Sequence, residues 1–74
     1  MPSAKKSIQL RNFGQNLRRE RVSAGLTQEK LAELAKLNPR TVQKIEAGDV
    51  DILLTTVLRI QKAVKCAWDK LMPK

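Results

Sequence analysis

Two helix-start signals stand close together in the middle of the chain, Thr27 and Asn38-Pro39, and a helix-stopping glycine, Gly48, comes soon after the second. Thr27 supplies a side-chain oxygen for the first free N–H groups of a helix, and Gln28 and Glu29 fill its first turn, where a carboxylate suits the helix dipole. Leu31, Ala32, Leu34 and Ala35 then recur at helical spacing, which predicts a helix over residues 28–35. The segment Lys36-Leu37-Asn38 interrupts that pattern. Asn38 starts a new helix, and Pro39 takes the first helical position, where its missing N–H costs nothing. The second helix spans residues 39–47, buries Val42 and Ile45, and ends at Gly48 in a left-handed stop.

Two helices this short, joined by a three-residue turn, form the unit in which the second helix stands proud of the surface. Ala32 is small where the two must approach. Leu37, Val42 and Ile45 point inward, leaving Arg40, Thr41, Gln43 and Lys44 outward. Arg and Lys donate to guanine O6 and N7, Gln pairs with base edges, and Asn38 or Thr41 hydrogen-bonds phosphate.

The flanks read as further helices. Residues 1–6 form a basic arm without periodicity, followed by a helix over residues 7–24 with Ile8, Leu10, Phe13 and Leu17 on one side and Gly25 as its stop. Gly14 is a weak point in it. Residues 49–51 make a polar connection, and Leu54, Val57, Leu58, Ile60 and Val64 mark a fourth helix ending near Lys65, with Asp51 as a candidate cap. A short last helix over residues 67–71 offers Trp68, Leu71 and Met72, and residues 73–74 are a tail. The fold class is therefore all-α, with five helices in one domain over residues 7–72, as expected for a 74-residue chain with room for one small core.

A formal charge of +8 favours an anionic partner, and charge alone leaves nucleic acid and a membrane surface both open. Phe13 and Trp68 are the only aromatics, so stacking platforms for single strands are poorly supplied and a duplex is the better target. With one cysteine and no histidine, the chain assembles neither a disulfide, a usual zinc set nor a nucleophile with its base, so no cofactor, metal site or enzymatic activity is expected. Cys66 reads as a small buried hydrophobe. No wholly apolar run exceeds three residues, as at 52–54, and the N-terminus lacks the apolar stretch of a secretory signal. The expected location is cytoplasmic, at the nucleoid, away from membranes. Arg11, Arg18 and Arg19 read equally as a solvated helix face or as phosphate contacts, and Lys5 and Lys6 as general attraction.

The run Leu26-Thr27-Gln28-Glu29-Lys30-Leu31-Ala32, followed by Val42-Gln43-Lys44-Ile45-Glu46-Ala47-Gly48, resembles the Cro and phage-repressor (lambda repressor-like) helix-turn-helix family. Leu17-Arg18 and Arg21 upstream, and Leu54, Thr56, Ile60, Ala63-Val64 and Trp68-Asp69-Lys70-Leu71 downstream, extend the likeness over roughly residues 13–71. The resemblance implies that Gln28 contacts a phosphate at the start of its helix, and that Arg40, Gln43 and Lys44 face bases. Pro39 falls where relatives often read a base and offers only apolar contact, as to a thymine methyl. Arg21 and Glu46 match the family's buried ion pair. Lys36 and Lys65 stand where glycine is usual, and Asp49 and Asp51 occupy a loop that in relatives often touches phosphate. A repressor bound as a homodimer to a palindromic operator is the implied function, self-associating through Trp68, Leu71 and Met72. The alternative is an antitoxin that binds a partner toxin and regulates its own gene.

Overall fold

The computed structural model describes residues 7–73; the basic arm at residues 1–6 and the final Lys74 lie outside them. Five helices succeed one another: α1 Ile8–Ser23, α2 Gln28–Ala35, α3 Pro39–Ala47, α4 Leu54–Val64 and α5 Trp68–Leu71. The N-caps are those that the side-chain chemistry selects. Ser7 accepts from the N–H groups of Gln9 and Leu10, Thr27 from that of Lys30, and Asn38 from that of Arg40. Asp51 does not cap α4. That helix begins later, at Leu54, with Leu53 at the cap and no side-chain bond.

The left-handed closures at Lys36 and Gly48 bring α2 and α3 to sharp stops. Lys36 adopts φ 58 and ψ 48, and the Leu37 N–H reaches back to the Ala32 carbonyl at 2.7 Å. Gly48, at φ 76, is followed by an Asp49 N–H bonded to the Lys44 carbonyl at 2.9 Å. Lysine thus takes a conformation that costs an L-residue roughly 1 kcal/mol, because the return bond and the burial of Leu37 require the chain to turn there.

Phe13 and Leu17 of α1, Leu31, Ala32 and Ala35 of α2, Val42 and Ile45 of α3, Val57, Ile60 and Val64 of α4, and Leu71 of α5 form one core. Gly14 does not break α1. It lies buried against α3, and a Cβ there would collide with the Ile45 carbonyl oxygen and stand 2.6 Å from that of Glu46. The residue that weakens the helix locally is the one that lets two backbones meet.

Several apolar residues expected inside are outside. Ile8 on α1 and Leu34 on α2 are exposed, and so are Leu54 and Leu58, since α4 turns Thr56, Val57, Ile60 and Val64 inward instead. Trp68 is 41% and Met72 39% exposed, whereas Leu71 between them is wholly buried. Cys66 is only half-buried, and burial, followed by the Glu20 carboxylate, raises its thiol pKa above the ordinary value. The four-residue α5 is held by α1: Asn16 Nδ2 donates to the Leu71 carbonyl at 3.0 Å, and Arg19 Nη2 to that of Lys70 at 2.6 Å. Among the described residues no helix is long and apolar enough to cross a membrane.

Candidate nucleic-acid interface

The outer face of α3 follows from its inner one. Val42 and Ile45 are buried at 0% and 1% exposure, and the helical period then turns Arg40, Gln43 and Lys44 to solvent. Asn38 and Pro39 are exposed at its start and Thr41 is half-buried. The Asn38 side-chain oxygen is committed to the cap, 2.8 Å from the Arg40 N–H. Arg40 and Lys44 make no side-chain ion pair among the described residues, so both charges are available to a ligand.

A polar network behind α3 fixes its placement. Arg21 Nε donates to Glu46 Oε2 at 2.6 Å, Arg21 Nη2 to Oε1 at 3.2 Å, and Arg21 Nη1 to the Leu26 carbonyl at 2.8 Å. The side chains of Arg21 and Glu46 are 12% and 5% exposed. Gln28, first residue of α2, donates its Nε2 to Glu46 Oε1 at 3.0 Å. One carboxylate therefore ties together α1, the start of α2 and the last turn of α3, with bidentate geometry that specifies orientation as well as adding energy. This side-chain link from α2 to Glu46 is not visible in the sequence, where Gln28 reads as a phosphate contact and Glu46 as the partner of Arg21 alone.

The arginines of α1 divide. Arg21 is in the network, and Arg19 spends its donors on Glu20, Asn16 and the Lys70 carbonyl, so it is a strut for α5. Arg18 is exposed and makes no side-chain bond among the described residues. Arg11, also exposed, lies beside Gly48, where a Cβ would stand 2.9 Å from the Cα and Cγ of the arginine. Glycine at the end of α3 thus admits the stem of Arg11, a juxtaposition that the spacing along the chain does not announce. Asp49 and Asp51 are exposed in the loop between α3 and α4.

No curated protein matches the chain in sequence. A family profile described as helix-turn-helix matches residues 17–71. Among solved structures, the restriction-modification controller protein C.AhdI from Aeromonas hydrophila is similar at 33% identity and a TM-score of 0.84, covering 89% of this chain and 100% of that one. The clp gene regulator ClgR from C. glutamicum is similar at 23% identity and a TM-score of 0.83, over 93% of this chain and 90% of that one. A point mutant of the restriction-modification controller protein C.Esp1396I is similar at 22% identity and a TM-score of 0.81, over 88% and 82%. The last two show the fold alone. Five helices, a proud α3 braced from behind, and a profile match over most of the chain converge: it belongs to the Cro/C1-type helix-turn-helix family of DNA-binding transcriptional regulators.

Proposed function

We propose that the chain is a sequence-specific repressor that binds a two-fold operator as a homodimer, with α3 in the major groove. The observation that carries this reading is the pairing of free outward donors on Arg40, Gln43 and Lys44 with a buried brace at Glu46 that holds their helix still. Arg40 and Lys44 read guanine edges, Gln43 reads a neighbouring base, and Pro39 offers apolar contact to a thymine methyl. Gln28 at the start of α2, Asn38 and Thr41 at the start of α3, and Arg18 on α1 contact phosphates, aided by the positive ends of the helices. Residues 7–72 form the binding unit, residues 1–6 a basic arm that adds general attraction, and residues 73–74 a tail.

Self-association follows from reach, because one small module covers little DNA and two on a palindrome bind far more tightly. Principal extents of 33 × 25 × 20 Å suit two touching copies to half-sites about 34 Å apart. Trp68 and Met72 serve as contact residues at the C-terminal end; Leu71, wholly buried within its own protomer, does not. The same exposed pair would serve an antitoxin's contact with a toxin. A dimer of the isolated chain supports the repressor, and a chain that stays monomeric both alone and on DNA removes it. Likeness to C.AhdI favours a controller-type regulator within this class.

Selection of duplexes from a random pool tests the proposal. Bound sequences should share a two-fold motif. Arg40→Ala should then lose about 1–3 kcal/mol at one base position, and Gln28→Ala should weaken all sequences alike. Selected sites that bind both variants as tightly as the parent would refute the assignment of α3.

A further inference from the structure

The contact between α1 and α3 has two sides, and they differ in kind. On α1 the contact line runs through Gly14, against the Ile45 and Glu46 carbonyls, and Arg21, against the Glu46 carboxylate. At 3.6 residues per turn, Leu17 lies roughly 60° to one side of Gly14 with Phe13 beyond it, and both are buried in the core. Arg18 and Arg11 lie roughly 40° and 60° to the other side, and both are exposed. On α3 the line passes through Glu46. Val42 and Ile45 fall on its core side, while Gln43 and Ala47 fall on its solvent side. Since the two helices share a single core, their solvent sides adjoin. The outer shoulder of α1 and the outward face of α3 are therefore one continuous surface.

Arg11 has a defined place on that surface. Its Cα and Cγ would each be 2.9 Å from a Cβ on Gly48, so its backbone and stem are seated on the C-terminal end of α3. Its guanidinium makes no ion pair or hydrogen bond among the described residues, which leaves five donors for an outside anion. It stands beside α3, not on it.

We propose that Arg11 is a further DNA contact, gripping a phosphodiester of the duplex at the C-terminal edge of α3, with Arg18 on the same helix shoulder. The inference rests on α3 being the groove-entering helix. It assigns to α1 a clamp next to the loop that carries Asp49 and Asp51. Phosphate is the chemistry that fits: a charged fork beside the recognition helix meets the strand before it meets a base edge.

The test is titration of a labelled duplex, recovered from selection, at about 50–200 mM salt, with parent, Arg11→Met, Arg11→Lys and Arg59→Met. Methionine keeps an aliphatic stem over Gly48 and removes the charge, lysine keeps the charge, and Arg59, exposed on α4, controls for net charge. Arg11→Met should bind every sequence more weakly and lower the salt slope by about 0.9, so that its deficit shrinks roughly 3.5-fold from about 50 to 200 mM. Arg11→Lys should keep the parent slope, as should Arg59→Met, with unchanged melting for all three. A parent slope in Arg11→Met, or an equal loss in Arg59→Met, overturns the clamp while leaving the reading of α3 intact. A parent that binds no duplex overturns both.

Discussion

Glu46 holds the polar network behind α3. Its carboxylate is 5% exposed and accepts from Arg21 Nε at 2.6 Å, Arg21 Nη2 at 3.2 Å and Gln28 Nε2 at 3.0 Å. In Glu46→Ala the Arg21 guanidinium, itself only 12% exposed, keeps the Leu26 carbonyl and loses its counter-charge, and the Gln28 amide loses its acceptor. Breaking one partner out of such a pair costs about 3 kcal/mol, most of it the penalty of the charge left behind. A domain of this length has a total stability of roughly 4–11 kcal/mol, so the loss is a large fraction of it. At about 4–8 °C per kcal/mol the melting temperature should fall by roughly 12–24 °C, followed by far-ultraviolet circular dichroism. Glu33→Ala is the control. That carboxylate is 73% exposed and 3.6 Å from Lys30, a pair worth at most about 0.5 kcal/mol. Glu46→Gln, which keeps an acceptor for Arg21, should fall between the two. Equal melting temperatures for Glu46→Ala and Glu33→Ala would refute the brace.

Three further substitutions test the backbone. Gly14→Ala gains about 1 kcal/mol of helix propensity but forces a methyl against the carbonyls of Ile45 and Glu46, an overpacking cost of roughly 1–3 kcal/mol. Net destabilisation in urea is expected, and a variant more stable than the parent would show that α1 and α3 are not in such close approach. Lys36→Gly and Lys65→Gly, at φ 58 and 57, should each stabilise by up to about 1 kcal/mol by relieving a left-handed side-chain-bearing residue. Unchanged or lowered urea midpoints for both would count against those conformations.

Legibility in the sequence tracks how local the cause is. The limits of α2 and α3 are readable because Thr27, Asn38-Pro39 and Gly48 act on N–H and carbonyl groups within a turn of themselves. Asp51 misleads for the same reason. A polar residue near a helix start is a cap only if the chain enters the helix there, and α4 starts later, at Leu54 with Leu53 at its cap. Leu34 and Leu58 mislead because helical periodicity marks an apolar stripe without saying how much of it a core this small can cover.

Local chemistry along the chain is therefore enough to specify the helix-turn-helix unit: two capped helices, a tight turn, and Arg40, Gln43 and Lys44 exposed opposite the buried Val42 and Ile45. Which cations stay free, and what holds α3 in place, depends on packing between distant segments. Arg18, Arg19 and Arg21 are near neighbours in one helix, yet one is exposed, one bonds α5 and one is half-buried and paired with Glu46. The difference lies in which element each helical face meets, and such contacts are set by the packing of α1 on α5 and on α3, where Gly14 and Gly48 let the two helices come close.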